Sequence, residues 1–198
     1  MTMNDVMNNI IKRRSVRRFK DEQITDVELN TILKAGEYAP CSGSRQAPVF
    51  VACQNAQLNQ EIGRINGEMM KAIMDKRPPM TPGSKQQPKV GNTQSVPNFS
   101  YGAPTVVTIF APKNWHNFTL DAAVAAQNMC LAATSLGVGS CIIARATEVF
   151  ATECGMEIQK EWGLSEDYEA KIHVLLGYPA DELPEAAQRR EGRVFVVK

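Results

Sequence analysis

The order of apolar and polar positions divides the chain into helical and extended pieces. Val6 and Ile10, with Ile11 beside them, predict a short helix over Val6–Arg14 whose apolar side faces inward. Thr25-Asp26-Val27-Glu28 is a capping box: the Thr25 hydroxyl can accept from the Glu28 backbone while the Glu28 carboxylate reaches back. The helix it opens carries a one-sided stripe of Leu29, Ile32, Leu33 and Gly36. It should stop near Ala39, because Pro40 disfavours helix in the residue before it. Val49 to Cys53 predicts a buried strand. Leu58, Ile62, Ile65, Met69 and Ile73 recur at threes and fours and predict a helix, with Met69 and Met70 as core packing.

The second half continues the pattern. Thr105 to Ala111 predicts a strand. Asp121 to Leu136 is apolar nearly all round, which predicts a buried helix, and its small side chains suit close approach to another helix in the core or at a dimer interface. Gly137 can end it as a left-handed cap. Ser140–Ala144 and Lys171–Leu176 predict two more strands. A polar stretch, 180–192, then leads to Val194-Phe195-Val196-Val197. That last apolar run needs a sheet to join, and the sheet could be a partner subunit's. Residues 77–99 break the pattern with five prolines and few aliphatics, and predict a loop or lid.

This element order is mixed and shows no internal repeat. No G-x-G-x-x-G follows a strand, which argues against a dinucleotide-binding Rossmann domain. A length of 198 residues suits one domain, 1–198, and can bury roughly two thirds or more of its unfolded surface. Net charge is +1, so nothing in the total asks for nucleic acid or an anionic membrane, and any basic site must be local. Five cysteines, an odd number with no C-x-x-C, do not form a secreted disulfide framework and point to a reducing, cytoplasmic setting. Met1 to Arg14 has no apolar stretch of the signal-peptide kind, and no run approaches the ~20 apolar residues of a membrane span.

Chemistry concentrates near the N-terminus. From Lys12 to Lys20 six of nine residues are Lys or Arg, and Arg13-Arg14-Ser15-Val16-Arg17-Arg18 stands at a helix boundary. Guanidinium groups bond phosphate bidentately, and a hydroxyl and freed backbone N–H groups add neutral donors, so a phosphorylated cofactor is a credible ligand. A solvated basic turn or a nucleic-acid patch would use the same residues. The two histidines, His116 and His173, lack ligand spacing, so no metal is expected, and His173 in an apolar strand reads as a hydrogen-bonded structural residue. Cys41 would need a base to act as a nucleophile, and none is evident. With no nucleophile elbow, phosphate loop or acid/base pair, an enzyme of this sequence would rely on a cofactor and have no catalytic side chain of its own.

Five segments in order resemble the nitroreductase family of FMN-dependent oxidoreductases: Arg13-Arg14-Ser15-Val16-Arg17; Ala39-Pro40-Cys41-Ser42-Gly43-Ser44-Arg45-Gln46; Gly102-Ala103-Pro104-Thr105-Val106-Val107; Asp121 to Cys141, with Ala-Ala-Gln-Asn-Met before Leu-Gly-Val-Gly-Ser-Cys; and Leu176-Gly177-Tyr178-Pro179 followed by Arg189-Arg190-Glu191-Gly192-Arg193-Val194. The resemblance implies an α+β fold, a central mixed, mostly antiparallel sheet flanked by helices, in an intertwined homodimer whose C-terminal arm, 180–198, pairs with the partner. It implies FMN at the dimer interface and NADH or NADPH as co-substrate, passing hydride to a small electron-poor acceptor such as a nitroaromatic, quinone or enone. A flavin-binding or regulatory protein with little turnover is the alternative.

Roles transfer by position. Arg13 and Ser15 match residues on the FMN phosphate and ribityl chain, with Arg14 beside them, and Arg17 matches the basic residue at the flavin pyrimidine edge. Pro40, Cys41, Ser42 and Ser44 match the loop reaching the flavin from the other subunit. Asn66 matches an Asn that bonds the ring. Ile142, Ile143, Ala144 and Arg145 fall where backbone packs on the isoalloxazine, and Arg189 and Arg190 match C-terminal basic residues on the phosphate. Cys41, Ser44, Ala47-Pro48, Ile142 and Ala144 depart from residues common in the family (Ser, Asn, Pro-Trp, an aromatic and Gly). These departures bear on the flavin edge and on substrate choice.

Overall fold

β2 (Thr105–Pro112) is the centre of the fold because seven of its eight residues are buried, so it must be covered on both faces. In the computed structural model, which describes residues 3–75, 98–114 and 117–198, it lies between β1 (Val49–Cys53) and β4 (Tyr168–Gly177). β3 (Gly139–Ile143) completes a four-stranded sheet of order β1-β2-β4-β3. Every strand pair is antiparallel, with Val107 opposite Val174 and Ile143 opposite His173. One isolated parallel bridge, Ser15 to Ser140, makes the sheet mixed.

Side-chain alternation along the strands feeds two cores. Val107, Ile109, Val174 and Leu176 point to one face, where α2 (Asp26–Glu37) and α4 (Phe118–Ser135) pack through Ile32, Ala122, Ala126 and Met129. Val106, Phe110, Cys141 and Leu175 point to the other, against Ile62 and Ile65 of α3 (Ala56–Asp75) and Ile158 of α5 (Glu153–Glu161). Phe110 meets Phe150 edge-on at 5.1 Å there, a favoured aromatic geometry. Gly36 lets α2 approach α4: a Cβ at that position would lie 2.6 Å from Met129 Cε.

The predicted elements form, with shifts of a few residues at their ends. The capping box is complete, and Gly137 takes φ +76° at the end of α4. The sequence pattern did not reveal α5 or the 3-10 turn at Thr147–Ala151, because each is too short to show an apolar repeat. One expectation, an inward-facing apolar side on the first helix, is corrected. α1 (Asp5–Lys12) has no buried residue: Val6, Ile10 and Ile11 are 63%, 42% and 44% exposed, since one chain offers this face nothing to cover it. The 180–198 arm forms neither helix nor strand, and Phe195 is 84% exposed; its apolar run pairs with neither edge strand of its own sheet.

The predicted lid lies outside the described residues apart from Asn98 and Phe99, and His116 lies outside them too. Phe99 belongs to the core, fully buried against the His173 ring. No helix among the described residues is long and apolar enough to cross a membrane.

Candidate functional site

The basic segment leaves α1 and runs beside β3. The Val16 backbone N–H donates to the Ser140 carbonyl at 2.9 Å, and Val16 is buried. This anchors the chain at its apolar residue and leaves Arg13 and Ser15 half-buried and Arg17 exposed. The Cys141 thiol reports what gathers there. Burial pushes its pKa up, while the Arg17 charge, the Ser15 hydroxyl, and the Arg13 and Arg145 charges pull it back. Ser15 bridges Ser140 near the start of β3, and Arg145 follows the other end of the strand, so residues predicted to hold a cofactor lie along β3.

Ile142, Ile143 and Ala144 lead from that strand into the turn carrying Arg145, whose guanidinium lies 5.4 Å from the centre of the Tyr101 ring, within cation–π range. Ala146 follows with φ +70° and is fully buried, a backbone conformation costly for a residue with a Cβ. Among the described residues no carboxylate pairs with Arg13 or Arg17. Two such cations beside a hydroxyl form a donor set suited to a phosphate.

Arg14 is used differently. Its Nε donates to the Pro184 carbonyl at 2.8 Å, and its Nη1 to the carbonyls of Arg13 and Ile11. Arg189 and Arg190 lie on the exposed arm, and no described contact joins them to the Arg13 group. Asn66 is buried on α3, across the sheet from α4, and no described contact joins it to that group either.

The loop after α2 is a second candidate segment. Ser42 is tied to α4: its backbone N–H and its hydroxyl both donate to the Asp121 carboxylate. Gly43, Ser44 and Gln46 all have positive φ (62°, 53° and 50°), and the Gln46 N–H donates to Cys41 Sγ. Left-handed backbone at two non-glycine residues is strain that the tie to Asp121 helps to hold. Beside this loop lies a cleft of about 700 Å³ between the end of α2, residues 39–50 and the start of α4. Pro40, Cys41, Gln46 and Tyr38 line it. The sequence reading did not assign Asp121 a role; a lone acid opening an apolar helix was the available signal.

The two candidate segments are anchored at different points along α4. The loop is fixed at Asp121 in the first turn of α4, whereas α1 is fixed near the other end, where Asn9 Nδ2 donates to the Leu131 carbonyl at 2.8 Å. Ten residues of helix separate those anchors, about 15 Å at 1.5 Å per residue.

The described residues thus form an antiparallel sheet between two helical layers, with the Arg13–Arg17 segment beside β3 and a strained loop at the far end of the central helix. The nitroreductase family model matches residues 10–178, and the chain belongs to this family. It is similar to a nitroreductase from Bacteroides fragilis solved with bound FMN, at 29% identity over 99% of this chain and all of that one, TM-score 0.80. A second solved nitroreductase with bound FMN, from Desulfitobacterium hafniense, is 25% identical over 99% of this chain and all of that one, TM-score 0.79. The NADPH-flavin oxidoreductase of Vibrio harveyi is 25% identical over 98% of this chain and 73% of its own length.

Proposed function

We propose that this chain binds FMN between two copies of itself and acts as an NAD(P)H oxidoreductase on small electron-poor acceptors, such as nitroaromatics, quinones or enones, in the cytoplasm. The observation that carries the reading is the course of the Arg13–Arg17 segment beside β3, where Ser15 bridges Ser140 and the Val16 N–H donates to the Ser140 carbonyl, with no carboxylate paired to Arg13 or Arg17 among the described residues. Similar proteins solved with bound FMN support it.

The residues present fit that cofactor. Arg13 and the Ser15 hydroxyl offer charge-assisted and neutral donors to the phosphate, and Arg17 offers a fixed positive charge for the flavin edge. The backbone of Ile142 to Arg145 provides a wall for a flat ring. The strained 41–46 loop, set about 15 Å away along its own α4, reaches such a ring only from a second copy. Asp121 holds that loop in shape, so it is a positioning residue. When bound there, FMN supplies the electron-transfer chemistry that no side chain here can. The protein's part is to orient donor and acceptor in turn over one face and to exclude water around them.

The exposed faces of α1 and of the arm fit the dimer. Val6, Ile10, Val194 and Phe195 make an apolar surface on one chain that a second copy would cover. The test is to purify the protein, identify any yellow cofactor, and add NADH or NADPH without oxygen. Bleaching of bound FMN is the expected result. A yellow protein that neither nucleotide bleaches would favour a binding or regulatory role. A chain that cannot be loaded with FMN would overturn the proposal. Arg13→Ala should lower FMN retention at least tenfold, in keeping with the loss of one charge-assisted phosphate bond of about 1.5–3 kcal/mol.

A further inference from the structure

We propose that Arg14 is a latch for the C-terminal arm and not a ligand of the cofactor phosphate. Three of its five N–H donors are engaged by backbone carbonyls, those of Pro184, Arg13 and Ile11. A guanidinium suits this because its donors diverge in one rigid plane, so a single side chain can hold three carbonyls at once. One of those carbonyls, Ile11, belongs to the last turn of α1, and another, Arg13, to the turn that presents Arg13 and Ser15. The third lies 170 residues further on, where the arm begins.

The latch closes a seam that is already zipped. The Lys20 N–H donates to the Tyr178 carbonyl, and the Ala180 N–H donates to the Arg18 carbonyl. Phe19 bridges to Pro179, and Arg18 pairs with Asp181 at 3.0 Å. The seam therefore runs antiparallel, from Lys20 beside Tyr178 to Arg14 beside Pro184. Beyond Pro184, no described hydrogen bond or ion pair holds residues 185–198 to their own chain. Arg14 is the last tie, so it sets the direction in which the arm leaves. The same residue shapes the Arg13–Ser15 turn, which couples the course of the arm to the geometry of the phosphate site.

Hydrogen exchange tests the latch locally, on protein stripped of FMN, so the result stands apart from whether FMN binds. In Arg14→Ala, amides of 178–186 should exchange about tenfold faster, as expected for losing a charged donor worth roughly 1.5 kcal/mol. Amides of the central strand, 105–112, should be unchanged. Arg14→Lys should behave like Arg14→Ala, because an ammonium keeps the charge but cannot span the three carbonyls. Wild-type exchange in Arg14→Lys would mean that charge suffices, and would overturn the proposal. So would unchanged exchange in Arg14→Ala, or an increase shared equally by 105–112, which would show general loosening. If Arg14→Ala fails to fold, Arg14→Lys and Arg14→Gln decide the matter by the same criteria.

That the released end pairs with a second copy rests on the function proposed above, and sedimentation reads it separately. Arg14→Ala should raise the dimer dissociation constant, whereas Arg13→Ala, which removes no arm contact, should leave it unchanged in the FMN-free protein. A dimer constant unmoved by Arg14→Ala, with exchange of 178–186 accelerated, would confine the latch to the seam and overturn its role in assembly.

Discussion

The Asp121 carboxylate accepts the backbone N–H of Ser42 at 3.1 Å and the Ser42 hydroxyl at 2.9 Å, binding a strained loop to the first turn of the central helix. Asp121→Ala removes the acceptor and leaves the Ser42 N–H without a partner, which costs roughly 1–3 kcal/mol. The unfolding midpoint should fall by several degrees, at about 2–4 °C per kcal/mol for a chain of this size. Ser42→Ala removes the hydroxyl bond alone and should cost about 1 kcal/mol. Calorimetry on both variants checks the order. Equal losses would mean that the backbone bond contributes nothing.

The arm gives a second prediction. Phe195 is 84% exposed in one chain, and its neighbours Val194, Val196 and Val197 are exposed as well. If a second copy covers them, Phe195→Asp places a charge in an apolar contact and should shift the protein from dimer to monomer in sedimentation velocity. A dimer of unchanged strength would remove the arm from the interface.

His173 predicts an acid limb in stability. It is fully buried, its Nδ1 lies 2.9 Å from Thr108 Oγ1, and burial pushes its pKa down to about 4, only partly opposed by the Ala146 carbonyl. In the unfolded chain the imidazole titrates near 6.5. As pH falls, the unfolded state takes up the proton first. The contribution of neutral His173 is therefore complete above about pH 6.5 and is lost progressively toward pH 4. The span corresponds to roughly 3 kcal/mol at 1.36 kcal/mol per pKa unit. His173→Gln should flatten that limb in urea titrations from pH 4 to 7. A wild-type slope in the variant would assign the limb to other groups.

Gly155 predicts a substitution the fold cannot absorb. A Cβ there would lie 2.0 Å from the Val149 carbonyl oxygen and 2.6 Å from Phe150 Cα, both backbone. Gly155→Ala must push α5 away from the turn at Thr147–Ala151, at a cost above about 3 kcal/mol. Thermal unfolding should show a fall of 6 °C or more, by the same scaling of 2–4 °C per kcal/mol. A midpoint within 2 °C of wild type would show that the turn yields freely.

Much of the architecture is legible in the sequence because it depends on local chemistry. Thr25 and Glu28 cap α2 through neighbouring atoms, Gly137 ends α4 through its own freedom at positive φ, and the unbroken apolar run of β2 requires cover on two faces. Those features follow from spacing and residue type alone. The Arg-Arg-Ser-Val-Arg segment is legible as a phosphate-binding cluster for the same reason.

How each member of that cluster is held was decided by tertiary structure. Val16 is drawn into the core beside Ser140, which leaves Ser15 and Arg17 beside β3, while Pro184 claims Arg14 from 170 residues away. No local pattern encodes that contact, because it depends on where β4 ends. Nor does spacing reveal that Asp121 fixes the Ser42 loop at one end of α4 while α1 is fixed near the other. The sequence by itself determined most of the elements and the donor chemistry, since short-range sterics and hydrophobic periodicity specify them, and its five ordered motifs carried the family resemblance. The separation of the 41–46 loop from the Arg13 segment, and the engagement of Arg14 by Pro184, were decided by packing, since long-range contacts alone fix which carbonyl or carboxylate each side chain meets.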